Sequence, residues 1–313
     1  MISSVYVGDF HVGHLVGLCS PEVPLDQGGA YKASNFQKRL YEKYHECATG
    51  LYPRPDYVVY TGDGMDGQGS KARGVEQWTT NVELQVAEAE RLLRLWKPKC
   101  GFICVRGSDY HVSINGLPMD EELARRLDAM TLNAINDKGS VLQSTSQERA
   151  EDGQDRRRSQ EVVYLPFIEH WKTGKKNEGY TVQVAHALGF TRTWQYRSTA
   201  ITREMLMAKV EDRMLKQIRN FPKTKAIVRG HVHFSWEVGS TSSRGIIVPC
   251  WQGLTPYMVK GSASALPDIG FWALEVRGND GDWGQFAWSV ETVQTPPVIV
   301  CTGQPRRKTG ANS

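Results

Sequence analysis

Acidic residues and histidines occur in short clusters directly after several apolar stretches of this chain. Two clusters have i, i+2 spacing, Asp9-Phe10-His11 and His231-Val232-His233. In an extended chain this spacing places both side chains on one face, so each cluster can act as a two-pronged ligand. Carboxylate and imidazole together bind Zn, Mn, Fe, Ni or Co, whereas Mg and Ca prefer oxygen ligands alone. The residue types therefore predict a site for one of the first five metals.

Five predicted strands end at a residue of this kind. The strand ends are Gly8-Asp9, Gly62-Asp63, Gly107-Ser108-Asp109, Ala185-His186 and Gly230-His231. In α/β sheets ligands bind beyond the carboxyl ends of strands, so residues far apart in sequence can converge there. The glycines allow the backbone to turn sharply beside the polar side chains. We therefore expect these segments to form one pocket.

The elements that must position these residues follow from hydrophobic periodicity. Short β-branched stretches alternate with longer amphipathic ones, which predicts an α/β fold. Strands are expected at 4–7, 57–60, 102–105, 162–166, 181–185, 226–228, 234–238, 246–249, 271–276 and 286–290. The last four have no helical pattern between them and are expected to form an antiparallel meander. Helices are expected at 34–48, 76–96, 120–136 and 202–220.

Composition excludes several classes of protein. The chain has 313 residues, with 38 Lys+Arg against 34 Asp+Glu and 40% hydrophobic residues, which excludes disorder, collagen and coiled coil. Arg306, Arg307 and Lys308 near the end supply three of the four net positive charges, so the rest of the chain lacks the basic surface that binds duplex DNA. No apolar run approaches the ~18 residues that span a bilayer, so no membrane partner is expected.

The length and residue distribution predict one catalytic domain. We expect it to cover residues 1–302, with a polar insertion at about 140–160, and to be followed by a basic flexible tail at 303–313. The six cysteines form no Cys-x-x-Cys pair, and the apolar start of the chain has no positively charged segment of the kind that precedes an export signal. These features predict a cytoplasmic protein.

With these motifs the sequence resembles the calcineurin-like metallophosphoesterase superfamily. The family pattern is Asp-x-His, Gly-Asp-x-x-Asp, Gly-Asn-His-Asp/Glu, Gly-His or a lone His, then Gly-His-x-His. Four blocks occur in order: Asp9-Phe10-His11, Gly62-Asp63-Gly64-Met65-Asp66, Ala185-His186 and Gly230-His231-Val232-His233. The chain is similar to uncharacterised phage and bacterial phosphoesterases with an altered third block. The resemblance implies a four-layer α/β/β/α sandwich of two mixed sheets.

The resemblance also implies a two-metal site. Asp9, His11 and His233 would hold the first ion, Asp63 would bridge, and His186 and His231 would hold the second. The cofactors would be two divalent ions, with Mn preferred and Fe, Zn, Ni or Co as alternatives. They would acidify a bridging water to hydroxide, which would attack a phosphomonoester or phosphodiester. Asp66 is expected to orient one of the ligands.

The third block departs from the family pattern, because Gly107-Ser108-Asp109-Tyr110-His111 stands where the family has Gly-Asn-His-Asp/Glu. The usual Asn ligand is missing. Either the Ser108 hydroxyl or the Asp109 carboxylate could replace it, Asp109 being the better ligand for a hard cation. His111 comes two residues late for the catalytic histidine, and a small loop insertion could return it to the leaving group as general acid.

Three arginines near the ligand blocks are candidates for binding the substrate phosphate, because a guanidinium fork suits phosphate geometry. They are Arg106, Arg192 and Arg197. The first functional hypothesis is a metal-dependent hydrolase of a phosphoester, acting as a phosphodiesterase or nuclease or as a phosphatase, on substrates that include nucleotides and nucleic acids. The alternative is a non-catalytic binding scaffold with the same fold, suggested by the missing Asn. Buried acids and histidines are costly without a metal, which favours the enzyme.

Overall fold

The computed structural model describes residues 1–68, 74–114, 117–130, 158–160, 162–167, 179–189, 196–219, 223–256, 258 and 266–293. Most of the predicted polar insertion, Arg192 and the predicted basic tail lie outside the described residues. No helix within the described ranges is long and apolar enough to cross a membrane.

The first sheet is mixed and has six strands. Their spatial order is β15 (Asp280–Ser289), β14 (Asp268–Arg277), β1 (Ile2–Val7), β4 (Tyr57–Tyr60), β5 (Gly101–Val105) and β8 (Ser159–Gln160). Strands β1, β4, β5 and β8 are parallel, and β14 and β15 extend the sheet in antiparallel fashion. The carboxyl ends of four strands therefore meet at one edge of this sheet.

The second sheet is also mixed and has five strands. Their order is β12 (Trp236–Ser240), β13 (Ser243–Ile247), β11 (Thr224–Arg229), β10 (Tyr180–Ala185) and β9 (Val162–Phe167). Strands β13, β11 and β10 are parallel, whereas β12 and β9 pair with their neighbours in antiparallel fashion. Two small hairpins stand apart, β2 (Glu22–Pro24) with β3 (Ala30–Lys32), and β6 (Ser113–Ile114) with β7 (Leu117–Pro118).

Five α-helices accompany the sheets in the described part of the chain. They are α1 (Asn35–Glu46), α2 (Val82–Leu93), α3 (Asp109–Val112), α4 (Met119–Arg126) and α5 (Arg197–Arg219). A π-helical turn, Cys47–Leu51, extends α1, and 3-10 turns occur at Arg94–Trp96 and Val290–Thr292. Helix α1 begins at a capping box in which Ser34 accepts from the Gln37 amide, while the Gln37 side chain accepts from the Ser34 amide.

Three apolar clusters define the layers of the fold. Val5 and Val58 of the first sheet pack with Leu92 and other residues of the helices on one side. The opposite face of the first sheet packs on the second sheet, through residues such as Tyr6 and Val182. On the outer face of the second sheet, Ile227 and Ile247 pack with residues of α5, namely Ile201, Met205 and Ala208. The expected four-layer α/β/β/α sandwich with two mixed sheets is confirmed.

The expected antiparallel meander is wrong. The four late strands form two hairpins on different sheets, β12 with β13 on the second and β14 with β15 on the first. Phe271 faces the helices and Trp272 faces the second sheet, so β14 is buried on both sides. Such a strand belongs inside a covered sheet, whereas a meander usually keeps one face in water.

Three of the predicted helix boundaries also differ from the structure. Helix α2 begins at Val82, whereas the pattern predicted a start at residue 76. The Asn81 side chain accepts hydrogen bonds from the Glu83 and Leu84 amides and therefore caps the helix at this point. Helix α5 begins at Arg197, five residues before the expected start. Helix α4 ends at Arg126, although the pattern predicted continuation to residue 136. Asp128, two residues further on, has a left-handed backbone that a helix cannot accommodate.

Candidate metal centre

The six predicted ligands converge at the strand ends in two groups of three. One group contains Asp9, His11 and His233, and the other contains Asp63, His186 and His231. Within each group the ligand atoms all lie within 4.8 Å of one another. They follow β1, β4, β10 and β11, so both sheets contribute to the centre.

Five of these six residues have a left-handed backbone. The φ angles are 52° at Asp9, 46° at His11, 51° at Asp63, 73° at His231 and 59° at His233. A non-glycine residue held in this region costs about 1 to 3 kcal/mol, and such residues cluster at functional sites. Hydrogen bonds hold the turns, from the Asp9 amide to Gly62 O at 2.8 Å and from the His11 amide to Asp63 O at 3.1 Å. The fold therefore maintains a strained arrangement just where the predicted ligands lie.

The first group has the geometry of a metal site. His11 Nε2 lies 3.1 Å from His233 Nε2, and His233 Nε2 lies 3.3 Å from Asp9 Oδ1. His11 Nδ1 lies 3.3 Å from Asp66 Oδ1 and donates to it, which leaves the Nε2 lone pair directed at His233. Two nitrogens bound to one ion at about 2.0–2.1 Å each are roughly 3 Å apart, so the observed spacing fits a shared cation.

Asp66 lies next to the first group and contacts the His11 ring, the position expected of a residue that orients this histidine. Besides its contact with His11, its Oδ2 accepts a 2.8 Å hydrogen bond from Gln77 Nε2. A carboxylate that accepts from the second ring nitrogen of a histidine fixes both the tautomer and the orientation of the ring. Asp66 therefore holds the His11 ring in the state in which Nε2 can bind a metal.

The second group is held in a similar way by the backbone. His186 Nδ1 donates to Thr61 O at 2.8 Å, which leaves its Nε2 facing Asp63 Oδ2 at 2.9 Å. Asp63 also accepts from the Ser108 amide at 2.7 Å and from the Ser108 hydroxyl at 2.9 and 3.1 Å. Within the described residues, His186 Nε2 and Asp9 Oδ1 are buried and form no hydrogen bond of good geometry, although each faces another member of the centre, Asp63 Oδ2 and His233 Nε2 respectively. Buried polar atoms of this kind, belonging to good metal ligands, fit a cation at the centre.

Backbone packing brings the two groups into contact. The His231 amide donates to Asp9 Oδ2 at 3.3 Å. A Cβ added to Gly230 would lie 2.8 Å from that same Asp9 oxygen and 3.1 Å from His186 Nδ1. A Cβ added to Gly107 would lie 2.1 Å from Asp63 Oδ1. Glycine is required at both positions because the backbone approaches the ligands too closely for any side chain.

The charges of the centre perturb its pKa values. Burial lowers the pKa of His186, but the Asp63 and Asp9 carboxylates outweigh burial and raise it to about 9. Burial raises the pKa of Asp63, but the charge of His186 outweighs it and holds that pKa well below its usual range. Burial lowers the pKa of His11 to about 4. Without a metal, the centre therefore keeps Asp63 ionised and takes a proton on His186 as its counter-charge.

We expect the metal-free protein to lose stability between about pH 6.5 and 9.5. The folded-state pKa of His186 lies above its unfolded value of about 6.5, so its contribution is complete below pH 6.5 and disappears as pH rises through about 9. The expected loss is on the order of 2 to 3 kcal/mol. Urea unfolding in EDTA across this pH range measures it. A wild-type curve as flat as that of His186→Gln would contradict the assignment.

Tyr60 and Asp120 form a buried pair beside the centre, which the sequence did not single out. The Tyr60 hydroxyl donates to Asp120 Oδ1 at 2.7 Å and accepts from the Gly64 amide. Asp120 Oδ2 accepts from the Gly107 amide at 2.6 Å. Both side chains are fully buried, and burial raises the pKa of Asp120 to about 7. The pair joins the loop after Asp63 to the loop that carries Ser108. Asp120 stands at the start of a predicted helix, so nothing in the sequence marked it as a partner of Tyr60.

Replacing Tyr60 with phenylalanine is expected to destabilise the protein by about 1 to 3 kcal/mol. The change leaves the Gly64 amide and Asp120 Oδ1 buried without their partner, and an unsatisfied buried group costs about this much. Urea denaturation of the variant measures the loss. Tyr41→Phe on α1 is the matched control, and its free energy of unfolding should stay within about 0.5 kcal/mol of wild type. Equal stabilities of the two variants would show that the hydrogen bonds of the Tyr60 hydroxyl contribute nothing to stability.

His111 lies beside the first group. The short helix α3 brings its ring to a centroid distance of 4.6 Å from His11, and its Nδ1 lies 3.2 Å from Asp66 O. His11, Asp66 and His111 form a third set of possible ligands within 4.8 Å. His111 is thus carried by one turn of helix, Asp109–Val112. The structure places Asp109, on the same turn, in an exposed position outside all three sets.

The arginine candidates have different environments. Arg106 lines a cleft that also contains Ser108 and Asp109. Arg197 is buried, and its guanidinium lies 4.5 Å from the centroid of the Phe234 ring. This stacking anchors the start of α5 to the segment after His233. Arg192 lies outside the described residues.

Comparisons with known proteins show likeness only at the level of solved structures. No protein-family model matches the chain, and no curated protein matches it. Vacuolar protein sorting 29 from Cryptosporidium parvum is 13% identical with a TM-score of 0.36, covering 92% of this chain and 98% of its own. Vps29 from Entamoeba histolytica complexed with zinc is 12% identical, with a TM-score of 0.38 and coverages of 92% and 99%.

A third similar structure is an uncharacterised protein from Streptococcus pneumoniae that is described as a predicted phosphoesterase. It is 8% identical with a TM-score of 0.31, and the alignment covers 92% of this chain and 98% of the other. Identities and scores this low say nothing about the activity of this chain. The architecture is instead established by the chain's own two sheets and the layers that cover them.

Proposed function

We propose that this chain is a metal-dependent phosphoester hydrolase of the calcineurin-like metallophosphoesterase superfamily. The observation that supports this most strongly is the pair of adjacent ligand groups at the strand ends, with their histidine nitrogens and carboxylate oxygens directed at one another. The residues occur in the order of the family motifs. We propose two divalent ions as cofactors, Mn²⁺ before Fe, Zn, Ni or Co, and a phosphoester as substrate.

We assign the metal-binding and phosphate-binding roles of the residues as the resemblance implies. Two divalent ions, when bound, polarise the phosphoryl oxygens and lower the pKa of water toward neutrality. Asp9, His11 and His233 would hold one, His186 and His231 the other, and Asp63 would touch both. Thr61 and Asp66 keep the His186 and His11 rings in the tautomer that leaves Nε2 free. Arg106, Arg192 and Arg197 remain candidates for contacts with the phosphate.

We propose that His111 protonates the leaving-group oxygen, since its ring lies beside His11 at the edge of the first group. His111→Asn should lower kcat about 100-fold for phenyl phosphate, whose leaving group needs a proton, and far less for p-nitrophenyl phosphate. Steady-state kinetics on both esters measures the difference. His45→Asn, an exposed histidine on α1, is the control. An equal loss on the two esters would assign His111 a structural role.

The direct test of the proposed function is hydrolysis of p-nitrophenyl phosphate and bis-p-nitrophenyl phosphate by the purified protein, with Mn²⁺ and with EDTA. Turnover that requires Mn²⁺ would support the hydrolase, and the preferred ester would separate a phosphatase from a phosphodiesterase. If the folded protein turns over neither ester with Mn²⁺, Fe²⁺, Zn²⁺, Ni²⁺ or Co²⁺, the hydrolase is refuted.

The second candidate function is a binding scaffold without catalytic activity. The observation in its favour is that Ser108, which aligns with the family's Asn ligand, uses its hydroxyl to bind Asp63. Asp109, the other possible replacement, is exposed. For the chain as a whole, we further propose one domain over residues 1–302, with an insertion at about 140–160 and a basic tail at 303–313, in the cytoplasm.

A further inference from the structure

A cleft of about 590 Å³ opens beside the second ligand group. Ser108 and Asp109 lie at one end, and Ser108 is hydrogen bonded to Asp63. The cleft continues between helix α5 and the outward-facing side chains of β9 and β10, such as Tyr164 and Gln183. Its volume lies within the range of about 300 to 1,000 Å³ typical of small-molecule sites. A phosphoester bound at the ligand groups could therefore extend its organic part into this cleft.

A connected set of polar side chains forms the wall of the cleft. Gln183 Nε2 donates to the Tyr164 hydroxyl at 2.8 Å and to Glu211 Oε2 at 3.0 Å, and the Tyr164 hydroxyl donates to Glu211 Oε2 at 2.9 Å. Arg229 Nη2 donates to Gln183 Oε1 at 2.7 Å and to Glu204 Oε2 at 2.9 Å. Both Gln183 and Arg229 are 4% exposed. The wall is thus rigid and largely desolvated before any ligand arrives.

This wall retains capacity for further hydrogen bonds. The bonds described above all fall on Oε2 of each glutamate, and a carboxylate offers about four acceptor positions, so Oε1 of each can still accept. The wall is therefore suited to a group that presents adjacent N–H donors to a carboxylate.

Charge and shape narrow the choice of ligand. Asp109, Glu204 and Glu211 outnumber the cations Arg106 and Arg229 in the cleft, which disfavours a polyanion such as a nucleic-acid strand. Val162 and Met207, which are 48% and 57% exposed, add apolar surface at the cleft for the face of a flat ring. An uncharged, planar group with N–H donors satisfies these conditions better than a phosphate chain.

We propose that the cleft binds the base of a small nucleoside phosphate whose ring edge carries adjacent N–H donors, with guanine as the reference case. The guanine edge has adjacent donors on N1 and N2, which complement a carboxylate such as that of Glu211. The inference rests on the proposed hydrolase function, because it assumes that the phosphate lies at the ligand groups. It narrows the proposed substrates from nucleotides and nucleic acids to mononucleotides.

The cleft can be filled from the surface without disturbing its wall. Met207→Trp adds bulk at an exposed lining residue, and Leu206→Trp makes the same change at a neighbouring position that is 58% exposed and does not line the cleft. With Mn²⁺ present, Met207→Trp should raise KM for guanosine 5′-monophosphate about tenfold and leave KM for p-nitrophenyl phosphate within about twofold. Leu206→Trp should change neither KM. A Met207→Trp variant that affects both esters equally, or neither, would overturn the proposal.

A metal-free experiment separates this inference from the hydrolase itself. Calorimetric titration of guanosine, which has no phosphate, in EDTA should show binding to wild type, weakened about tenfold by Met207→Trp and by Glu211→Gln. Guanosine binding in a protein that hydrolyses no ester would refute the hydrolase but support the cleft. Hydrolysis of esters by a protein that binds no guanosine would overturn the cleft alone.

Discussion

The Asp63→Asn variant is expected to lose Mn²⁺-dependent hydrolysis by on the order of 10³-fold or more, which is about 4 kcal/mol of transition-state stabilisation. Asp63 follows β4, is 1% exposed, and lies 2.9 Å from His186 Nε2. Asparagine keeps an oxygen that can accept from the Ser108 amide but removes the negative charge that would join the two ions. The structure of the loop should therefore survive while metal binding does not. Initial rates with p-nitrophenyl phosphate over a range of Mn²⁺ concentrations measure the effect.

Asp280→Asn is the matched control for this prediction, because Asp280 is an exposed aspartate at the turn between β14 and β15. It should retain the full rate. Circular dichroism of both variants checks that each is folded. A folded Asp63→Asn protein with more than about a tenth of the wild-type rate would show that Asp63 does not bind the catalytic ions.

Saturating Mn²⁺ is expected to raise the melting temperature of the EDTA-treated protein by roughly 5 to 10 °C. Ion binding to the folded state alone contributes about 2.7 kcal/mol at 100 times Kd, and for a chain of this size each kcal/mol corresponds to roughly 2 to 4 °C. His11 Nε2 and His233 Nε2, which lie 3.1 Å apart, are two of the atoms that would hold the ion. Differential scanning fluorimetry with and without Mn²⁺ measures the shift.

Other divalent ions and variants of single histidines provide the controls for the shift in melting temperature. Mg²⁺ and Ca²⁺ prefer oxygen ligands, so they should shift the melting temperature far less than Mn²⁺ does. His233→Asn should reduce the Mn²⁺ shift by at least half, and His45→Asn should leave it unchanged. A shift of the same size with Mg²⁺, or an unaltered shift in His233→Asn, would indicate general ion binding at the surface.

The sequence predicted which polar residues would converge at the strand ends, because their positions depend on local features. A polar residue that follows a short apolar strand must lie at the strand end, and glycine before it permits the sharp turn. Asp9, Asp63, His186 and His231 are all of this type, and the structure brings them together. The alternation of strands and helices likewise predicted the α/β class, and the resemblance to the family implied the two mixed sheets.

The features that the sequence did not reveal depend on contacts between distant segments. Asp120 and Tyr60 are 60 residues apart, and neither carries a local sign that the two meet. The division of the late strands between two sheets follows from the burial of both faces of β14, which includes Phe271 and Trp272. Strand β14 pairs with β1, near the start of the chain, and this pairing places β14 and β15 in the first sheet.

The separation of the ligands along the chain has a consequence for the order of events during synthesis. His11 and His233 lie 222 residues apart, and each ligand group takes residues from both sheets. Asp9 leaves the ribosome long before His233 exists, and an unfolded chain rarely offers a preformed site. Under the proposed function, metallation would therefore follow folding, and the ion would be selected from the pool that the finished protein meets rather than by the nascent chain.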